Sequence, residues 1–197
     1  MTEITALTPR PDVLDFLLTR RSRPAKTLRA PGPDRDALEP ILQAALRVPD
    51  HGKLEPWRLA VLTGDALERL AALAEITGAA QGLDPDKIAK GRAMFAVAPC
   101  IVAVIATPED SAKIPEVEQT LSAGAVCTTL VTAALAAGWG ANWLTGWVVE
   151  NAVFRRDGLG LADHEWIAGL IVIGTEGPVP PERPRPDPTA KIAWIAT

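Results

Sequence analysis

The earliest residues that could do chemistry are Arg20, Arg21 and Ser22. Two guanidinium forks and a hydroxyl in succession suit a phosphate dianion, which arginine binds through paired, charge-assisted hydrogen bonds. The triplet follows the apolar run Val13, Leu14, Phe16, Leu17 and Leu18. It therefore also reads as a solvated basic cap at a helix C-terminus, where the dipole favours cations. A second segment is Arg47-Val48-Pro49-Asp50-His51-Gly52-Lys53-Leu54-Glu55-Pro56-Trp57. Its prolines, glycine, histidine and charges make a stiff loop of the kind that carries function on a scaffold. Other constellations are absent. There is no G-x-S-x-G, P-loop or H-E-x-x-H, and with only His51 and His164 a histidine-rich metal site is excluded. Gly138-Trp139-Gly140 follows a helix, whereas a dinucleotide loop must follow a strand. So few candidate nucleophiles and bases imply chemistry borrowed from a cofactor, with no side chain cast as the catalyst and no metal expected.

These segments need elements to hold them. The first helix ends near Arg20 and is stopped by Pro24. A second helix carries Ile41, Leu42, Ala45 and Leu46; Asp36 and Glu39 are its expected capping box, with Pro40 in the first turn. A strand is expected over residues 57–62, a helix through Leu67, Leu70 and Leu73, and a polar helix over 86–95. Residues 100–106 form a β-branched run bounded by Pro99 and Pro108, which predicts a strand buried on both faces. A long small-residue helix spans 117–137, closed by Gly138, and its all-round apolar character implies burial on more than one side. A strand or turn at 142–145, a short polar helix near 151–157 and a core strand at 166–173 follow. The tail from Gly177 to Pro188 holds six of the eighteen prolines and reads as an extended arm with an apolar tip at 192–195. Helices and strands mix without strict βαβ alternation, so the expected class is α+β, in one domain over 1–197 with an extension at 1–12 and an arm at 176–197.

The bulk numbers narrow the setting. At 197 residues, 48% apolar and 22% charged, the chain can bury one core and is not disordered. A net charge of −4 without a basic, aromatic-laced face argues against nucleic acid. Cys100 and Cys127 lie in apolar runs and read as reduced core thiols, and no signal peptide is legible, so a cytoplasmic location is expected. The apolar stretch 121–144 is interrupted by Gly138 and Gly140, which favours a buried helix and strand over a membrane span.

The order of several short motifs carries a resemblance. R-R-S after the first helix, R-x-P-D-H-G-K-x-x-P-W, Val117-Glu118-Gln119 with Ser122-Ala123-Gly124, the run Gly138 to Gly146, Ile173-Gly174-Thr175 and Pro186-Asp187-Pro188 follow one another as in compact bacterial members of the nitroreductase family. The chain resembles that family over roughly residues 13 to 190. The resemblance implies a mostly antiparallel central sheet flanked by helices, and a homodimer with the long helix in its interface. It also implies FMN as cofactor and NAD(P)H as co-substrate, with hydride passing through FMN to a small electron-poor acceptor such as a nitroaromatic or quinone. The alternative is a flavin-binding storage or sensor protein without turnover. By motif, Arg20, Arg21 and Ser22 would hold the FMN phosphate and ribityl chain, and Arg47 would reach the flavin. His51 would serve a site formed mainly by the other subunit, and Trp143, Leu144 and Thr145 would line the flavin from within the chain. Ala133, Ala134, Leu135, Ala136, Ala137 and Gly138 would meet the nicotinamide nucleotide. Glu55 stands where many relatives have glutamine, and Lys191, after Pro-Asp-Pro, has no assigned part.

Overall fold

The computed structural model describes residue 4 and residues 6–196. The expected extension at 1–12 therefore lies partly outside the described residues, and its last two positions already belong to the first helix, α1 (Pro11–Thr19). The remaining helices are α2 (Arg35–Ala45), α3 (Asp65–Ala80), α4 (Pro85–Ala96), α5 (Glu116–Ala136), α6 (Trp147–Glu150) and α7 (Pro188–Lys191). The strands are β1 (Trp57–Leu62), β2 (Cys100–Ala106), β3 (Gly140–Leu144) and β4 (Trp166–Gly174).

The four strands form one sheet in the order β1-β2-β4-β3, and every neighbouring pair is antiparallel. The fold is α+β. In the central strand β2 all seven residues are buried, although an antiparallel strand commonly leaves one face wet. The alternation of the pleat explains this. Ile101, Ala103 and Ile105 enter a core built with α3, α4, α6 and Phe154, while Cys100, Val102, Val104 and Ala106 enter a second core with α2 and α5. Helices thus cover both faces, and the β-branched run meets both.

One local expectation is corrected and one refined. The cap of α2 is Asp34, whose carboxylate accepts from Ala37 N–H at 2.9 Å, so the capping pair is not Asp36 and Glu39. Residues 31–34 have no regular structure, Asp34 is extended and the helix starts at Arg35, which leaves Pro40 inside it. The short polar helix expected near 151–157 is present over residues 152–159, but its middle, Phe154–Gly158, winds as a π-helix, and Asn151 Oδ1 accepts from Phe154 N–H at 2.7 Å.

In α5 the buried residues are Gln119, Ser122, Ala123, Val126, Cys127, Leu130, Val131 and Ala134, spaced by three and four. Among the described residues of the single chain, this stripe is the one buried side of the helix. On the opposite side Val117 and Leu121 are exposed, Thr128 is open to solvent, and a side chain built on Gly124 would meet nothing. Part of that side, at Thr129, Thr132, Ala133 and Ala136, shares a cleft with Asp12, Val13, Phe16 and Leu17 of α1. By length and composition α5 alone among the described helices would suffice to cross a membrane.

Candidate functional site at the end of the first helix

Helix α1 ends because Arg20 turns extended (φ −55°, ψ 143°) while its N–H still bonds Phe16 C=O. The chain then runs along the outer edge of β3: Arg23 N–H donates to Ala141 C=O at 2.9 Å, and Asn142 Nδ2 donates to Arg23 C=O at 2.9 Å. This anchors Arg20, Arg21 and Ser22 beside the sheet. Arg20 Nη2 donates to Ser22 Oγ at 3.2 Å, and Arg21 Nε donates to Pro181 C=O at 3.3 Å. The proline-rich arm lies across this segment. It is fastened by the Arg23–Glu176 ion pair and by Arg185 Nη2, which donates to Arg20 C=O at 3.3 Å.

Arg185 is the residue that sequence reasoning missed. The available signal was Arg183-Pro184-Arg185-Pro186, two guanidinium groups on a stretch stiffened by proline. Burial first, and the charge of Arg185 second, pull the Arg20 guanidinium below its ordinary pKa. Arg20 Nε is buried with no hydrogen-bond partner among the described residues. An unpaired buried donor is costly, and a donor of this charge is matched by an anion. The cluster of Arg20, Arg21, Ser22 and Arg185 therefore has the chemistry and the vacant bonding capacity that a phosphate group requires.

The same strand edge carries two of the other expected residues. Pleating sends Trp143 and Leu144 to opposite faces. Trp143 lies over Gly169 beside Cys127, its Nε1 donating to Ala168 C=O at 3.2 Å. Leu144 points to the other face, into a groove with Ala25, Lys26, Lys90 and Met94, so the two side chains do not line one surface. Thr145 is exposed just beyond the strand. What Trp143 and Thr145 share is the backbone edge. In an antiparallel ladder alternate residues turn N–H and C=O together toward the same neighbour, and Ala141 turns outward to Arg23. Trp143 accordingly presents its backbone pair to the open edge of the sheet.

Residues 133–138 have a packing role. Trp139 N–H bonds Ala134 C=O at 3.0 Å and Gly138 N–H bonds Leu135 C=O at 3.1 Å, the pair of bonds that closes a helix through a glycine at positive φ (85°). Ala134 is fully buried and cannot touch a nucleotide, and Leu135 packs on the core. Ala136, Ala137 and Gly138 are exposed, while Ala133 is half-buried.

The 47–57 loop is built onto the other end of α5. Ser122 Oγ donates to Pro49 C=O at 2.7 Å and accepts from Trp57 Nε1 at 3.0 Å. The Asp50 carboxylate accepts from Leu54 N–H and Glu55 N–H at 3.2 and 2.9 Å. These bonds hold Lys53 and Glu55 at φ 57° and 50°, a region L-residues avoid and functional loops tolerate. His51 Nδ1 lies 2.7 Å from Glu118 Oε2. Arg47 and Glu55 are exposed. From Glu118 to Ala136, beside α1, the helix rises about 27 Å. The His51 loop therefore sits at the end of α5 opposite to the end that lies beside α1. His164 is exposed, and no cluster of metal-ligating side chains occurs among the described residues.

Comparisons with known proteins agree with this architecture. The sequence model of the Nitroreductase family matches residues 17–175. The protein named Putative NAD(P)H nitroreductase YdjA from Escherichia coli K12 is 37% identical over 164 residues, 83% of this chain and 88% of that protein. A Putative NAD(P)H nitroreductase from Haemophilus influenzae is 36% identical over 166 residues, with the same coverage. Among solved structures, the Nitroreductase-like Family Protein from Bacillus cereus superposes with a TM-score of 0.78 at 24% identity, over 96% of this chain and 99% of the other. A nitroreductase in complex with FMN from Desulfovibrio desulfuricans superposes with a TM-score of 0.72 at 20% identity, over 96% and 100%. The antiparallel sheet covered by helices on both faces and the family match over most of its length lead to one conclusion: the chain belongs to the nitroreductase family and is an oxidoreductase enzyme.

Proposed function

We propose that the chain is an FMN-dependent NAD(P)H oxidoreductase that works as a cytoplasmic homodimer, reducing a small electron-poor acceptor such as a nitroaromatic or a quinone. The observation that carries this reading is the unpaired, buried Arg20 Nε within the cluster of Arg20, Arg21, Ser22 and Arg185. Those four residues would hold the phosphate. The outward backbone of Trp143 and Thr145 would hydrogen-bond a polar flavin edge, with the Trp143 indole held over Gly169 as support. Bound FMN supplies the hydride-carrying chemistry, accepting from NAD(P)H and passing reducing equivalents to the acceptor.

The side chains then have three tasks: binding, orientation and exclusion of water. Both thiols are unsuited to more. Burial pushes Cys100 up to about 11 and Cys127 up to about 12, so neither is a thiolate at neutral pH, in keeping with reduced core residues. The distance between the two ends of α5 supports a site shared across a dimer, in which the 47–57 loop of one protomer, with Arg47 and His51, completes the cluster on the other. A two-fold partner laid on the small-residue side of α5 would bring opposite helix ends together, and Val117, Leu121 and Gly124 are the uncovered surface for it. NAD(P)H would approach the exposed flavin face near Ala136, Ala137 and Gly138, with Ala134 remaining in the core.

The test is direct. The purified protein should be yellow or turn yellow with FMN, and it should oxidise NADH or NADPH in the presence of a quinone or nitroaromatic. A colourless protein that takes up no FMN on reconstitution would refute the reading. The shared site has its own test in a mixed dimer of one subunit carrying Arg20→Ala and Arg21→Ala with one carrying a disabling His51 change. One intact site per dimer is expected; no intact site, with both parent homodimers inactive in FMN binding, would refute the crossing loop.

A further inference from the structure

His51 is held from one side only. Its Nδ1 meets Glu118 Oε2 at 2.7 Å, and among the described residues the ring has no other hydrogen-bond partner. A carboxylate can only accept, so the proton of this bond sits on Nδ1 in either charge state of the ring, and Nε2 is the atom left to face outward. Glu118 stands in the first turn of α5, a rigid helix. The neighbouring residues fix both partners. Gln119 Oε1 accepts from Glu109 N–H, and its Nε2 donates to Glu109 C=O and Ile114 C=O, which ties down the approach to the helix. Ser122, one turn on, bonds the loop at Pro49 and Trp57, and Asp50 caps the loop internally. Gly52 has φ 70° and stands against Ile114, so close that a Cβ there would lie 2.7 Å from Ile114 Cδ1. The backbone around His51 is therefore clamped to the start of α5, yet the ring itself has one orienting contact.

We propose that Glu118 is the positioning residue for His51: it holds the imidazole through Nδ1 so that Nε2 is offered to the flavin site of the neighbouring subunit. This rests on the reading above, that the 47–57 loop completes that site. An isolated exposed pair of this kind contributes little to folding, so its value lies in where it aims the ring. Side chains that orient a binding histidine through its second nitrogen are known to govern the tautomer and direction of the first.

The experiment is a double-mutant cycle on the full-length dimer, read by FMN affinity and by the position of the bound flavin's visible band. Glu118→Ala is expected to weaken FMN about two- to tenfold, the range of one net hydrogen bond. It should shift the visible band in the same direction as His51→Ala. Glu118→Gln keeps an acceptor oxygen and should restore most of the affinity. His51→Ala with Glu118→Ala should be no worse than His51→Ala alone, because Glu118 acts through His51. Melting temperature and dimer mass should stay unchanged throughout. Additive effects, or a Glu118→Ala variant that binds FMN as the parent does while His51→Ala is weakened, would overturn the assignment of Glu118. A His51→Ala variant that binds as the parent does would overturn the shared-site reading itself, and the role of Glu118 with it. Ring nitrogen shifts of His51 in the unsubstituted protein supply a check that needs no variant: a protonated Nδ1 is expected, and a neutral ring protonated on Nε2 would refute the proposal.

Discussion

Replacing Arg20 with alanine separates a binding role from a structural one, because the two make opposite predictions for the protein without cofactor. In the structure the side chain has one bond to Ser22 Oγ at 3.2 Å and a buried Nε with no partner. Removing it loses a bond worth about 1 kcal/mol and relieves an unpaired buried donor of similar cost, so the stability of the cofactor-free protein should change by about 1 kcal/mol or less. With FMN the balance differs. A charge-assisted bond to phosphate is worth about 1.5–3 kcal/mol, or roughly one to two decades in affinity. Titrating the cofactor-free variant with FMN and with riboflavin, by quenching of flavin fluorescence, gives the answer. FMN should lose that factor, and riboflavin, which lacks the phosphate, should bind parent and variant nearly alike. Equal losses for both ligands would refute the phosphate assignment. A drop of several degrees in the melting temperature of the cofactor-free variant would refute the argument that Arg20 is unsatisfied in its own fold.

Three further outcomes follow from other parts of the molecule. Gly124→Leu puts a side chain on the open side of α5, where nothing within the chain would meet its Cβ, and raises helix propensity by about 1 kcal/mol. Sedimentation should show a shift from dimer to folded monomer, and an unchanged dimer would remove that side from the interface. The Arg58–Glu165 pair, bonded at 2.7 and 2.9 Å, holds the Glu165 carboxyl at about 2, below its ordinary 4.5, chiefly through the Arg58 hydrogen bond. A depressed carboxyl stabilises the fold above its ordinary range and loses that contribution as pH falls through its folded value. Arg58→Ala should therefore cost about 1 kcal/mol or less at pH 7, with parent and variant converging between pH 4.5 and about 2 in a denaturant series. Gly169→Ala would drive a methyl into the Trp143 ring, 2.7 Å from Cδ1, and should cost about 1–3 kcal/mol and weaken FMN, both measurable on one preparation.

Much of this was legible from the sequence by itself. The strand at Cys100–Ala106 and the beginning and end of α5 follow from local patterns: a β-branched run between prolines, and a small-residue run closed by Gly138. The Arg20-Arg21-Ser22 triplet was visible because its members are adjacent, and the order of the motifs led to the family. Closer competitors were harder to separate. Asp34 and Asp36 are both good caps, and only the start of the helix at Arg35, with Asp34 extended before it, decided for Asp34.

What the tertiary structure alone decided concerns residues far apart in the chain. Arg185 reaches the Arg20 carbonyl across 165 positions, and Glu118 meets His51 across 67, because the arm folds back across residues 20–23 and the loop folds onto α5. Pleating placed Trp143 and Leu144 on opposite faces and left the outward backbone edge as the surface common to Trp143 and Thr145. The length of α5 put the helix that leads into Arg20-Arg21-Ser22 and the histidine loop at its opposite ends. Side-chain type and spacing record what a segment can do locally. Which distant segment completes it depends on packing through space, and hydrogen bonds of about 3 Å are formed or lost there without leaving a periodic trace in the sequence.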